Sequence, residues 1–474
     1  MTLWNWTMVD NNAKGDTVHE TADGYESDFM RSAREAQAKL NTVSPSMCLA
    51  KWNQVSLHLP TGLNNSCYHP PLHKMEVGNI HNTQYKKQQR AKMIAGERPE
   101  ECSYCWNIED TGQLSDRHYR SGEPWSMMDF DKIVADPMAD INPRYVEVNF
   151  NHACNFKCSY CSPQFSTSWG KEINDHGAYP TYSPHNAPEH FVGNRKPIPH
   201  KDENPYVNSF WEWWPEMYKD LKHFRMTGGE PLMDKNTFKV LDYVIQNPKE
   251  DLHLAITSNF NPPSSHVWDR YIEKLQKICV PGGIEHFMQY VSVDTWGKHA
   301  EYIRNGLDFD VLWANVHRFL ERVPERTSLT FIITYNNLSV LGIKELLWNI
   351  LTLRRRYSND YQRIWFDTPI LREPAWQSIK LLPEEYQMIH QEAIDFMKEN
   401  LETNANRLHG FKDYEIQRME RDLEWWKTGL QVQEMRRHRS DFVKFFTEHD
   451  RRRGTNFLET FPQMAEFWQL CKNA

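Results

Sequence analysis

No stretch of this 474-residue chain approaches the roughly eighteen consecutive apolar residues that a membrane-spanning helix requires. Its opening segment, MTLWNWTMVDNNAKGD, has neither the basic flank nor the continuous apolar stretch of a secretory signal. The expectation is therefore a water-soluble protein of a reducing, cytoplasmic compartment, with a mean hydropathy of -0.74 and no membrane partner. An excess of positive charge is also missing. The formal charge is -8, which argues against a general nucleic-acid binder, and the basic runs Arg354 to Arg356, Arg436 to Arg439 and Arg451 to Arg453 read as solvated helix faces. Internal repeats and low-complexity tracts are absent too, so the chain is not a solenoid or a linker array.

Cysteine is what the chain does have, in an odd count of nine, seven of them between Cys48 and Cys161. In a reducing compartment, closely spaced thiols are more often metal ligands or catalytic groups than disulfides. Cys279 and Cys471 stand apart and read as packed thiols. In VNFNHACNFKCSYC, the gaps after Cys154 and Cys158 are three and two residues. Three thiolates at that spacing on a loop can converge on one iron-sulfur cube and leave an iron open to another ligand. A zinc knuckle or three core cysteines is the alternative.

The triad follows RYVEVNFN, whose alternation and β-branched content predict a strand. Five further strands are expected in HFRMTGG, LHLAITSN, QYVSVDT, SLTFIITYN and RIWFDTPI, with helical segments between them. One such segment, DKNTFKVLDYVIQNP, places Phe238, Leu241, Val244 and Ile245 on one face behind a capping Asp234. Strand and helix alternating in this way predict an α/β fold with parallel strands, an open or partly closed barrel whose site lies at the carboxyl ends of the strands. The stretch from 174 to 208 interrupts that alternation and reads as a lid, a binding loop or disorder.

CxxxCxxC after a first strand, with Tyr160 before the last cysteine, resembles the signature of the radical S-adenosylmethionine (radical SAM) superfamily. The resemblance implies a partial (β/α)6 barrel and a 4Fe-4S cluster on Cys154, Cys158 and Cys161. In that family the open iron chelates SAM, and one electron cleaves SAM to a 5′-deoxyadenosyl radical that abstracts hydrogen from substrate. MTGGEP is similar to the family's GGE motif and implies SAM contacts at Gly228, Gly229 and Glu230. TSN resembles a further SAM corner at Ser258 and Asn259, and the loop aromatic Tyr160 would pack near the adenine. By the same resemblance Ser292 and Asp294 would hold the ribose hydroxyls and Arg304 the SAM carboxylate, with an ordinary strand-end or helix-surface role an equal alternative for each.

The other four cysteines, Cys48, Cys67, Cys102 and Cys105, have eighteen residues between the first pair and thirty-four before the closing CxxC. With Trp52, Gly62, Gly78 and Glu109, they resemble the SPASM or twitch module of radical SAM enzymes, placed here before the barrel. The resemblance implies a second, auxiliary 4Fe-4S cluster, for which a structural zinc is the alternative. The expected organisation is an N-terminal arm over 1–40, the cysteine module over 41–140, the core over 141–385 with its insertion at 174–208, and a C-terminal helical extension over 386–474. The implied partners are a reductant such as flavodoxin or ferredoxin and an unidentified substrate, with a peptide or protein side chain as first choice. The alternative function is a non-catalytic, zinc- or cluster-stabilised binding protein that contacts nucleic acid through its C-terminal arginines.

Overall fold

The computed structural model describes residues 28–183 and 185–474. Most of the expected N-terminal arm, up to residue 27, lies outside the described residues, and the helix Asp28–Asn41 follows it. The strands are β1 (Gln54–His58), β2 (Leu63–Asn65), β3 (His73–Lys74), β4 (Tyr145–Asn149), β5 (Lys157–Cys158) and β6 (His223–Thr227). They continue as β7 (Lys249–Ser258), β8 (Ile284–Ser292), β9 (Arg304–Asn305), β10 (Thr327–Ile332) and β11 (Ile364–Asp367). All six strands expected for the core are present, as β4, β6, β7, β8, β10 and β11.

The chain divides into two compact units. The first comprises Met1–Asn151, Ile198–Thr227 and Asp251–Leu254. Its strands run in the order β6-β4-β1-β2-β3. β4 pairs in parallel with β6, Tyr145 opposite His223, and with β1, Gln54 opposite Tyr145. The turn at Pro60, Thr61 and Gly62 reverses the chain, so β2 returns antiparallel to β1. Parallel pairing of β1 with the first core strand is a feature that the period-2 pattern alone does not reveal. The helix Gln84–Ile94 starts where the Thr83 side chain accepts a bond from the Lys86 amide. Leu40, Trp52, Met93, Ile133 and Ile141 form a buried core that includes Cys48, Cys102 and Cys105.

The second unit comprises His152–Pro197, Gly228–Glu250 and Ala255–Ala474. Here β8, β10 and β11 pair in parallel, with Leu329 of β10 opposite both Gln289 and Ile364. Every residue of β10 is buried, as expected of a strand covered on both faces. The crossovers are helical. Trp268, Tyr271, Ile272, Leu275 and Ile278 are the buried stripe of Ser265–Ile278, and Asp308 caps Phe309–Arg322. The predicted cap of Lys235–Gln246 is also present, the Asp234 carboxylate accepting from the Asn236 amide. After residue 382 the chain is helical, in Glu385–Glu399, Asp413–Lys427, Val432–Arg453 and Ala465–Lys472.

The fold is thus α/β with mostly parallel strands. Among the described residues, β3 is an edge strand in the first unit and β11 an edge strand in the second. Among the described residues no helix is long and apolar enough to cross a membrane.

The reading of the basic runs as solvated faces is corrected at three positions. Arg354 is fully buried against Glu415, and the side chains of Arg452 and Arg453 are 1% and 0% exposed. Each guanidinium sits against a carboxylate or backbone carbonyls. Such partners, distant in sequence, are what make burial of the charge tolerable.

Candidate active site

The triad loop is shaped from outside. The Cys161 amide closes a turn on the Cys158 carbonyl at 2.9 Å. Ser166 Oγ donates to the Phe156 carbonyl at 2.6 Å, Ser168 Oγ to that of Cys154 at 2.8 Å, and Trp169 Nε1 to that of Cys158 at 2.8 Å. Asn186 Nδ2, from the insertion, donates to the Cys161 carbonyl at 2.9 Å. The thiols themselves make only long contacts: Cys154 Sγ accepts from the Phe156 amide at 3.4 Å, and Cys161 Sγ lies 3.9 Å from the Ser162 carbonyl. Cys158 is buried, and Cys154 and Cys161 are half-buried.

Burial pushes all three thiols up, Cys161 to about 12, and the charge of Cys158 raises both Cys154 and Cys161 further. The metal-free loop is therefore protonated at neutral pH, and ligation of iron would release those protons.

GGE lies against the start of this loop. The Glu230 amide donates to the Ala153 carbonyl at 2.7 Å. A Cβ on Gly229 would stand 2.2 Å from that same carbonyl oxygen, a space that only hydrogen fits. Gly228 has φ 126°, open to glycine and strained for other residues. The Glu230 carboxylate accepts from the Leu232 amide at 3.0 Å, Ser258 Oγ at 2.8 Å and the Asn259 amide at 2.7 Å. Asn259 Nδ2 reaches Asn155 Oδ1 at 2.9 Å. Glu230, Ser258 and Asn259 therefore join the GGE turn, the end of β7 and the cysteine loop. Burial raises the Glu230 carboxyl to about 7 despite its three donors.

Tyr160, Asp294 and Arg304 form a second knot. The Tyr160 hydroxyl donates to Asp294 Oδ2 at 2.8 Å, Arg304 Nη2 to Asp294 Oδ1 at 2.8 Å, and the Thr334 amide to the same oxygen at 3.0 Å. Arg304 Nη1 approaches Cys158 Sγ at 3.7 Å. β5 and β9 set this contact by pairing Cys158 with Arg304. The polar ends of all three side chains are thus directed at one another. Ser292 ends β8 half-buried, opposite Ile332.

The residues that sequence reasoning missed are braces. Arg453 Nη1 donates to the Lys157 carbonyl at 2.8 Å across 296 positions of chain. Its Nε pairs with Glu172 at 3.1 Å, and Glu172 also accepts from Lys157 at 2.7 Å and from the Tyr179 hydroxyl. Burial opposes the Glu172 charge, but Arg453, Lys157 and Tyr179 together hold its carboxyl down at about 2. No local motif marks such a pair. The run DRRRG in a mostly charged helix was the one available signal.

In the first unit, Cys48, Cys67, Cys102 and Cys105 line one partly open pocket, with Lys51, His69 and Arg117 at its walls. Arg117 is held by two bonds to Glu109, at 2.9 and 2.7 Å, and donates to the Met47 carbonyl at 2.8 Å. Lys51 pairs with Glu101 in a buried ion pair. Burial disfavours its ammonium, but Cys102, Glu101 and Cys67 outweigh that and hold its pKa above the usual lysine range. Burial raises all four thiols, Cys102 to about 11 and Cys105 to about 12. Among the described residues no three His, Cys, Asp or Glu side chains are gathered as a site for a single metal ion.

Both sets offer soft sulfur donors with a buried cation beside them, Arg304 at the triad and Lys51 at the four-cysteine set, a chemistry that suits iron-sulfur ligation.

No family model matches the chain. Among curated proteins it is similar to GTP 3′,8-cyclase of Aliarcobacter butzleri, with 24% identity over 204 residues, 42% of this chain and 48% of the relative. It is also similar to GTP 3′,8-cyclase of Campylobacter lari, with 23% identity over 206 residues and the same two shares. The chain spans about half the length of the curated relatives it matches. Among solved structures, "Native anSMEcpe with bound AdoMet" aligns with TM-score 0.33 and 15% identity, over 56% of this chain and 62% of that one. Streptococcus suis SuiB bound to S-adenosylmethionine aligns with TM-score 0.37 and 14% identity, over 76% and 71%. By their names the curated relatives are enzymes.

Proposed function

We propose that this protein is a radical SAM enzyme, with Cys154, Cys158 and Cys161 holding a 4Fe-4S cluster and the GGE and TSN corners receiving SAM. When bound, the cluster and SAM supply a carbon-centred radical that removes hydrogen from substrate. The chain's own residues bind and orient. Gly228 and Gly229 let backbone approach the cofactor, and Glu230 fixes Ser258 and Asn259 beside it. The knot of Tyr160, Asp294 and Arg304 holds Cys158 in register. The observation that carries this reading is the press of Gly229 against the Ala153 carbonyl, directly ahead of three cysteines whose own carbonyls are each engaged.

The four-cysteine cavity is, in this reading, the auxiliary cluster site. Its four thiols share one pocket lined by the cations Lys51 and Arg117, which would offset the charge of a thiolate-bound cluster, and a structural zinc is the alternative. A low-potential flavodoxin or ferredoxin would be the reductant, in a reducing cytoplasmic compartment that keeps the cysteines free. A peptide or protein side chain is the substrate class, supported by the resemblance of the auxiliary module alone. For the nucleic-acid alternative, the side chains of Arg452 and Arg453 are buried while Arg436, Arg437 and Arg451 are exposed, which leaves it a smaller basic surface.

Anaerobic reconstitution is expected to yield about eight irons per chain, as two four-iron clusters. Replacing Cys154, Cys158 and Cys161 together by Ala should remove half of the iron and all 5′-deoxyadenosine production. Persistence of that product in the triple variant overturns the assignment. Consumption of GTP by the reconstituted protein would replace the peptide substrate with that of the curated relatives.

A further inference from the structure

Cys158 differs from the other two ligands in what surrounds it. Arg304 reaches its sulfur at 3.7 Å and is anchored through its other nitrogen to Asp294. On the adjacent backbone, Arg453 holds the Lys157 carbonyl at 2.8 Å and stacks at 4.8 Å over the ring of Trp169, which itself donates to the Cys158 carbonyl. Glu172 joins Arg453 and Lys157. Three cations, Arg304, Arg453 and Lys157, thus stand with two carboxylates, Asp294 and Glu172, and the shell keeps one net positive charge. Both guanidiniums and both carboxylates are almost wholly buried, where screening by salt and solvent is weak.

We propose that Arg304 and Arg453 set the reduction potential of the group held by Cys154, Cys158 and Cys161, and that the C-terminal extension is part of the catalytic site through Arg453. The inference rests on the proposed function. One-electron reduction by a ferredoxin- or flavodoxin-class donor adds one negative charge to the thiolate-bound group. A buried cation stabilises the reduced form more than the oxidised one, and an N–H to sulfur contact acts in the same direction. Both arginines are positioning residues that act through Cys158 and its backbone. This gives the DRRRG segment a role that its sequence context leaves open.

The test is a dithionite titration of the reconstituted full-length protein, followed by electron paramagnetic resonance of the reduced cluster. Arg453→Gln is expected to lower the equilibrium constant for reduction about tenfold, or about 59 mV for one electron. Glu172→Gln, which leaves Arg453 and Lys157 uncompensated, should shift the potential the opposite way. Arg453→Lys should stay near the wild type, and Arg304→Lys, keeping charge but not the contact to Sγ, should fall by a smaller step. Arg451→Gln, at an exposed position paired with Glu448, should change nothing.

Equal shifts of the same sign in Arg453→Gln and Glu172→Gln would mean mere loosening of the loop and would overturn the proposal, as would unchanged potentials with iron intact. If Arg453→Gln fails to hold iron, Glu172→Gln decides alone: a rise supports the proposal, and a fall or no change sinks it. A wild-type protein without any reducible cluster at the triad would remove the proposed function itself, a result distinct from these.

Discussion

Cys154, Cys158 and Cys161 lie on one short loop, whereas Cys48, Cys67, Cys102 and Cys105 are gathered from three separated segments of the first unit. The loop owes its shape to braces from outside it, Trp169 and Asn186 from the segments that follow and Arg453 from far along the chain. The four-cysteine set instead owes its shape to the core in which it is embedded, where Trp52 and Met93 pack beside Cys48 and Cys102. Local spacing is thus enough to announce a ligand set, but rigidity has to come from elsewhere. A ligand set assembled by the core is expected to return stability to that core when metal binds. Metal on the braced loop should matter for chemistry and little for folding.

The strongest way to break this contrast is at the glycines. Gly229→Ala drives a Cβ to 2.2 Å from a backbone oxygen, which no rotamer can relieve. 5′-Deoxyadenosine yield should fall roughly a hundredfold or more, while the iron of the four-cysteine set is retained. Gly78→Ala, in the first unit, meets open space and pays only for its φ of 83°, about 1 kcal/mol. Its SAM cleavage should be unchanged. Equal losses in the two variants would erase the distinction between the sites.

Cys102→Ala should have the next largest effect, and of the other kind. Loss of one thiolate from the core-embedded set should lower the thermal midpoint by several degrees, more than Cys154→Ala does. SAM cleavage per folded molecule should survive. If the auxiliary cluster accepts the electron left on substrate, the soluble variant should still make 5′-deoxyadenosine but release no oxidised product. Normal product yield after loss of the auxiliary iron would assign that cluster a bracing role.

A smaller effect separates two carboxylates of the second unit by pH. Glu172, held at about 2 against an ordinary value of 4.5, contributes stability that is fully present above pH 4.5 and is lost as pH falls through about 2. That contribution is on the order of 3 kcal/mol. Glu230, raised to about 7, contributes in the reverse sense: its share is present below pH 4.5 and is lost as pH rises through about 7. Denaturant titrations of the metal-free protein should therefore lose their dependence at the acid end in Glu172→Gln and between pH 4.5 and 7 in Glu230→Gln. A Glu172→Gln curve parallel to the wild type at low pH would count against the Arg453 brace.

How much of this was legible in the sequence follows the range of the interactions. The six core strands, the Asp234 cap and the helical C-terminal region are encoded by local period and capping chemistry, and all are found. The triad and GGE are compact motifs, so their residues could be named. What stayed hidden depends on pairing between distant segments: β1 lying parallel to β4, Arg354 buried on Glu415, Arg453 on the cysteine loop. An arginine run looks the same in sequence whether water or a buried carboxylate receives it. Arg304 and Asp294 could be nominated by the family resemblance, yet their closure on Tyr160 and Cys158 emerges only when β5 meets β9.

The finest test of the comparison uses two helix caps of similar geometry. Thr83 Oγ1 accepts from the Lys86 amide at 3.2 Å at the head of a helix in the first unit, and Ser166 Oγ accepts from the Trp169 amide at 3.2 Å in the second. Each cap alone is worth about 1 kcal/mol. Ser166 does a second thing, donating to the Phe156 carbonyl at 2.6 Å, and loss of that donor leaves a buried carbonyl at a further cost of about 1–3 kcal/mol. Thr83 Oγ1 has a second partner too, His73 Nε2 at 3.3 Å, but that bond lies in the first unit, so Thr83→Ala should cost its cap and this one long bond and leave SAM cleavage untouched. Ser166→Ala should cost more and should slow SAM cleavage as well, because Phe156 sits between the first two ligands of the triad. Denaturant midpoints with 5′-deoxyadenosine assays on both variants separate these outcomes. If Ser166→Ala loses no more than Thr83→Ala and cleaves SAM normally, the loop does not depend on outside braces, and the contrast between the two cysteine sets fails at its base.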